Sequence, residues 1–275
     1  MRPFRADYHT HCCFSPDTGG TLPTQNIDAA LAKGLDALMF TDHCECNTHT
    51  GTCPFPKPWP DMDYVHYFEY CSSLKGKYPI ELGVGIEIGQ PLQGLEYAEK
   101  MVEVKPWDMI LASNHNIVGE PDFCLMDFTD KDTDSLCKRY FAELYDIVKW
   151  GKFDVLSHLY YFIKYIAVKD LPLIDFTKYN AEISEIFKLL IETGKGLEVN
   201  TSCLPIRQYG RPVPNFEHLK MYRDMGGELI TIGSDSHRGA DIGTGIDETV
   251  ELLKAAGFKY VASYEARKPT LRPIA

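Results

Sequence analysis

The sequence has no apolar run approaching the roughly 20 residues that a membrane helix needs; its greasiest stretches, such as Leu35–Phe40, are far shorter. Nor does the N-terminus carry the apolar core of a signal peptide, since Arg2 and Arg5 lead directly into Asp7, His9 and His11. Basic residues are the minority, with 28 Lys and Arg against 39 Asp and Glu and a formal net charge of −11. That balance argues against a dedicated nucleic-acid binder, which normally shows a basic excess or stripe. Neither G-x-G-x-x-G nor G-x-x-x-x-G-K-[ST] occurs, so nothing supports an open nucleotide-binding sheet. There is no linker rich in Gly, Ser or Pro and no internal repeat. The nine cysteines are odd in number and scattered. They are expected as reduced thiols in a cytoplasm rather than as a disulfide framework.

What is present is an ordinary globular composition: 275 residues, 44% hydrophobic and 24% charged. A chain of this length buries about three quarters of its unfolded surface without covalent staples. Strand-like runs fall at Phe4–Tyr8, Leu35–Thr41, Ile80–Glu87, Asp108–Ser113, Phe153–Ser157, Gly196–Asn200, Glu228–Gly233 and Phe258–Ala262. Between them lie segments of helical period at Gln25–Lys33, Leu92–Val104, Asp134–Lys149, Ala181–Glu192, Asn215–Met225 and Thr244–Ala256, most of them stopped by glycine. This alternation predicts an α/β fold with a parallel, barrel-like sheet, residues 1–275 forming one domain. Cys44–Asp61, with its prolines and cysteines, reads as an irregular loop over the site.

The histidines carry the chemistry. His9 and His11 close the first strand, and period two puts them on one face. His43 closes the second strand, Glu87 the third; His115 and His158 follow the fourth and fifth, and Asp235 and His237 follow the seventh. A parallel barrel gathers the C-terminal ends of its strands into one face. Each residue alone reads as a packed or solvated side chain, but the coincidence at six strand ends predicts a metal centre. Imidazoles and carboxylates without clustered thiolates suit Zn, Mn or Fe. So many ligands exceed the coordination of one ion, which implies two to three divalent transition metals with a carboxylate bridging.

His9-Thr10-His11-Cys12-Cys13-Phe14-Ser15-Pro16-Asp17, Glu198-Val199-Asn200-Thr201-Ser202 and Ile232-Gly233-Ser234-Asp235-Ser236-His237 resemble, in that order, motifs of the polymerase and histidinol phosphatase (PHP) superfamily, and within it the histidinol-phosphate phosphatases. The resemblance runs from Asp7 to about Gly245. It implies a distorted (β/α)7 barrel with a trinuclear site at the C-terminal ends of the strands. One metal would be held by His9, His11, Glu87 and Asp235, a second by Glu87, His115 and His158, and a third by Asp17, His43 and His237. From local pattern alone Asp17 is a turn residue; its place in the third site comes from the resemblance.

The implied reaction is hydrolysis of a small phosphorylated substrate, L-histidinol phosphate, by in-line attack of metal-activated water, with Asp235 and His237 in the catalytic group. Where histidinol phosphatases carry an arginine shortly after the strand-five histidine, this sequence has none before Lys164. Arg207 and Lys164 are therefore the candidate phosphate clamp. Competing readings are a phosphoesterase acting on a sugar phosphate or nucleotide, and a non-catalytic metal-binding module. No nucleic-acid or membrane partner is expected, and a homo-oligomer is left open. Glu198 is expected to organise hydrogen bonds behind the ligands. Tyr160-Tyr161-Phe162 is expected in the core; His49, His66 and His218 are expected at the surface. Cys44, Cys46, Cys53 and His49 fit no zinc-knuckle spacing.

Overall fold

The computed structural model describes residues 2–49 and 62–274. Apolar strand runs and amphipathic helices alternate along it. The strands are β1 Ala6–Thr10, β2 Ala37–Phe40, β3 His43–Glu45, β4 Glu81–Val84, β5 Ile86–Gly89, β6 Ile110–Ser113, β7 Val155–Leu156, β8 Gly196–Asn200, β9 Ile230–Gly233, β10 Tyr260–Glu265 and β11 Lys268–Pro273. The helices are α1 Pro23–Ala32, α2 Tyr64–Ser73, α3 Leu95–Glu103, α4 Thr133–Trp150, α5 Ile163–Val168, α6 Asn180–Glu192, α7 Phe216–Asp224 and α8 Ile246–Ala255.

Two parallel sheets, β1-β2-β4 and β3-β5-β6-β7-β8-β9, share a single curved wall. β2 and β3 are halves of one stave interrupted at Thr41-Asp42, and β4 and β5 are halves of another interrupted at Gly85. Gly85 is needed at its break, because a Cβ there would stand 2.4 Å from the Met109 carbonyl oxygen. The wall closes where Asp235 N–H donates to the His9 carbonyl and His11 N–H to the Ser236 carbonyl, both at 2.8 Å. Counting each interrupted stave once gives seven, a distorted (β/α)7 barrel.

The helices follow from their sequences. In α4, Asp132 caps the N-terminus by accepting from Asp134 and Ser135 N–H, and Gly151 ends the helix at φ 69°. Its buried face, including Leu136, Tyr140, Leu144 and Ile147, recurs at helical spacing and packs against α6. None of the described helices is long and apolar enough to cross a membrane.

Two expectations are corrected. Phe258–Ala262 is not a stave of the barrel. The strand there, β10, pairs antiparallel with β11 through a two-residue turn whose Ala266 and Arg267 are both left-handed. Such turns favour Asn and Gly, so the sequence did not announce the hairpin. Its tip is fastened beneath the barrel, where Arg267 Nε donates to Asp154 at 2.9 Å and Arg267 N–H to the Asp108 carbonyl at 2.8 Å. The irregular loop read over Cys44–Asp61 begins instead with ordered structure, since Cys44 and Glu45 belong to β3 and Cys46–His49 forms a 3-10 turn. Residues 50–61 lie outside the described residues.

Candidate active site

Strand period two aims Asp7, His9 and His11 to one side of β1, and all three are fully buried. Barrel closure then brings them against residues far away in sequence. Glu87, also fully buried, stands at the centre. Its Oε1 lies 3.2 Å from His115 Nε2 and 3.0 Å from His158 Nε2. Its Oε2 lies 2.8 Å from His43 Nδ1, 3.4 Å from His9 Nε2 and 3.7 Å from His11 Nε2. Asp235 Oδ1 approaches His11 Nε2 at 3.3 Å and His9 Nε2 at 3.7 Å. Towards the mouth, Asp17 Oδ2 lies 3.0 Å from His237 Nε2 and 3.5 Å from His43 Nε2. All nine metal-ligand candidates therefore come together, Asp17 included.

The donor atoms are pre-set for cations. His9 Nδ1 is 2.6 Å from Glu198 Oε1, His115 Nδ1 is 2.9 Å from Glu45 Oε1, and His237 Nδ1 is 2.9 Å from the Asp235 carbonyl. Each of these partners accepts a hydrogen bond from Nδ1–H, which in the neutral ring leaves Nε2 as the lone-pair donor facing the centre. His9 Nε2 and His11 Nε2 are buried without a hydrogen bond, a costly state unless something electropositive sits between them. Three donor groups have ligand atoms close enough to share an ion: His9, His11 and Asp235; His43, Glu87 and His115; His11, His43 and His237. Hard carboxylates with imidazoles fit zinc and its first-row neighbours.

The electrostatics agree. Burial alone would neutralise His9, His43 and His115, but neighbouring carboxylates outweigh it and raise all three, His115 to about 10. Burial would likewise protonate Glu87, yet His9, His115 and His43 hold it well below the ordinary range. Asp235 is held low against burial by Lys164 and His9, and Glu45 falls to about 2 beside His115. His11 goes the other way, lowered by burial and by His43 and His237. Divalent cations would supply the positive charge that these protons now provide, so metal uptake releases protons.

The backbone is strained where it must aim a ligand. Asp235 has φ 54°, the left-handed region that non-glycine residues avoid. Asp7 holds the turn in place by accepting from Ser234 N–H at 2.8 Å, Ser234 Oγ at 2.6 Å and Gly243 N–H at 2.7 Å. Gly233 is required beside it, since a Cβ there would lie 2.3 Å from both Glu198 Oε1 and His9 Cβ.

Above the cluster opens a cavity of about 330 Å³, lined by five of the candidate ligands, Asp17, His43, His115, Asp235 and His237, and by Glu45, Asp122, Cys124, Tyr161, Lys164 and Tyr165. Lys164 Nζ stands 3.8 Å from Asp235 Oδ2. Arg207, the other clamp candidate, is exposed and is not among the lining residues. Tyr160 and Phe162 are fully buried as expected, but Tyr161 lines the cavity with its ring 4.8 Å from that of His115. His66 is exposed, whereas His218 is fully buried, bonded to Tyr160 Oη and Asn180 Oδ1, which corrects its surface reading. Glu45 was missed, although His43-Cys44-Glu45 repeats the one-face spacing of His9-Thr10-His11.

The PHP domain model matches residues 7–202. The chain belongs to the PHP domain family. A probable histidinol-phosphatase of Thermotoga maritima is 35% identical over 93% of this PHP chain and 94% of its own. The histidinol-phosphatase of Lactococcus lactis is 27% identical over 96% of each chain. The crystal structure of histidinol phosphate phosphatase from Lactococcus lactis, complexed with zinc, L-histidinol and phosphate, superposes with a TM-score of 0.81 at 26% identity. It covers 97% of this chain and 98% of that one. The PHP fold and a centre able to hold metal ions thus stand on both geometry and kinship.

Proposed function

We propose that this PHP protein is a metal-dependent phosphomonoesterase that hydrolyses L-histidinol phosphate to L-histidinol and phosphate. The observation that carries the reading is Glu87, whose two carboxylate oxygens are each faced by imidazole nitrogens, two of them on His43 and His115, which line a cavity together with Lys164. Full-length kinship with histidinol-phosphatases supports the substrate. His9, His11, Glu87 and Asp235 would hold one ion, Glu87, His115 and His158 a second, and Asp17, His43 and His237 a third. Zinc, manganese or iron bound there supplies charge to neutralise phosphate oxygens and acidifies water, so that a nucleophile exists at neutral pH.

The chain's own groups do the rest. Glu198 and Glu45 fix the tautomers of His9 and His115. Lys164 is the cation facing the phosphate, a point charge rather than a bidentate fork. Tyr161 and Tyr165, whose hydroxyls are 2.5 Å apart, wall the cavity and keep water from the leaving group. Residues 1–275 act as one domain on this reading. A cytoplasmic location is supported by the eight free cysteines among the described residues.

The test is phosphate release by the purified, metal-loaded protein from L-histidinol phosphate, sugar phosphates and nucleotides. L-histidinol phosphate should have the highest kcat/KM. Turnover of the others with none of histidinol phosphate would overturn the substrate, and no release from any ester would overturn the activity.

A further inference from the structure

One lining residue has no part in the metal cluster and an unusual environment. Asp122 is a carboxylate only 3% exposed, and it borders the cavity above the ligands. Its Oδ1 accepts a single backbone bond, from Cys124 N–H at 2.8 Å, the Cys124 thiol also bonds to it, and His115 and Glu45 act on it from further off with opposite sign. Among the described residues no Lys, Arg or His lies within ion-pair distance of it, and Lys164, the lysine of the cavity, is turned to Asp235 instead. Burying a carboxylate with so little compensation is expensive. The cost is recovered when a ligand brings a positive charge to it.

The same cavity carries both signs of charge. Lys164 and the candidate metal ligands would take an anion, and Asp122 is a carboxylate outside the metal cluster that shares the lining with Tyr161, Tyr165 and Cys124, Glu45 being engaged with His115. Aromatic faces beside an acid form a seat for a cationic or planar organic group. A ligand matching this lining carries a phosphate at one end and an ammonium at the other.

Building on the phosphatase reading, we infer that Asp122 is the specificity residue that pairs with the ammonium of the leaving group, restricting this enzyme to phosphate esters of amino alcohols. Asp122 forms no bond to the reacting atoms; it selects the ester by charge. Its loop is set for this by Phe123 N–H, which donates to the His115 carbonyl at 3.1 Å and ties the acid to a ligand-bearing segment.

The experiment compares L-histidinol phosphate with its desamino analogue, which keeps the imidazole and phosphate but lacks the ammonium, in wild type and Asp122→Asn. Asparagine keeps the acceptor for Cys124 N–H and removes the charge. Wild type should prefer the ammonium ester, and Asp122→Asn should lower kcat/KM for it by roughly 30-fold or more while changing the desamino ester less than about threefold, the signature of a lost buried charge pair. Calorimetric binding of L-histidinol itself gives a second readout, expected to weaken at least about tenfold in Asp122→Asn. No preference in wild type, or an equal loss on both esters, would overturn the assignment. The two readings fail separately. Weakened L-histidinol binding in a protein that hydrolyses no ester would uphold Asp122 and sink the phosphatase. Normal hydrolysis with unchanged binding and selectivity in Asp122→Asn would sink Asp122 alone.

Discussion

Glu198 Oε1 lies 2.6 Å from His9 Nδ1, and the opposite oxygen of the same carboxylate accepts the backbone N–H of His158 at 2.8 Å. One buried acid on β8 thus sets the tautomer of one candidate ligand, on β1, and the position of another after β7. Glu198→Gln keeps the shape but can offer an amide N–H to His9 in place of an acceptor. Metal affinity should fall 10- to 100-fold, as is typical when the partner behind a ligand is lost, with turnover falling alongside. Metal titration of the apoprotein checks this, and unchanged affinity would reduce Glu198 to a packing residue.

Elemental analysis of protein purified without chelator should give two to three transition metals per chain. Asp17 lies at the cavity mouth between His43 and His237, where the outermost ion is proposed. Asp17→Ala should remove about one metal and slow phosphate release on the order of 100-fold. Unaltered stoichiometry would return Asp17 to the turn residue that its local sequence suggests.

Lys164 and Arg207 separate by where the structure puts them. Lys164→Met should raise KM for phosphomonoesters roughly tenfold or more, the loss of one charge-assisted contact. Arg207→Ala, on an exposed loop outside the cavity lining, should stay within about twofold of wild type. Steady-state kinetics on both variants decides, and the reverse ranking would restore Arg207 to the clamp.

Asp7 is a structural test of the strained turn. Asp7→Ala leaves the buried Ser234 N–H without its acceptor, at about 1–3 kcal/mol, and the half-buried Gly243 N–H without its own at a smaller cost. Chemical denaturation should show the loss. Asp7→Asn, which retains one acceptor oxygen, should recover part of it. Wild-type stability in Asp7→Ala would mean that Asp235 keeps its left-handed backbone unaided.

His218 gives a pH dependence away from the metals. Burial lowers its pKa to about 4, below the ordinary 6.5. The unfolded chain therefore takes up this proton first as pH falls, and the stability contributed by neutral His218 is present above pH 6.5 and is lost progressively down to about pH 4. Denaturation midpoints measured across that window should fall, and His218→Gln should flatten that part of the curve. An unchanged slope would show that His218 titrates alike in both states.

The sequence by itself determined the strand–helix alternation, the helix stops at glycine, and the candidate ligands at the ends of the strands, because these are local patterns of period and punctuation. His9 and His11 share a face by strand geometry alone, and the order of the ligands along the chain already implied a closed parallel wall. Tertiary structure decided what depends on lateral neighbours. Glu45 lay within a stretch read as loop and became the partner of His115 only when β3 paired with β5. Asp7 reached Ser234, 227 residues away, through barrel closure. Arg207 read as the first clamp candidate and Lys164 as its helper, but the fold puts Lys164 in the cavity lining and leaves Arg207 exposed outside it. His218 sat in a polar segment, yet helix packing carried it beneath Tyr160. Local sequence encodes the direction of a side chain relative to its own strand or helix; which distant group meets it is set by the register and closure of the whole barrel.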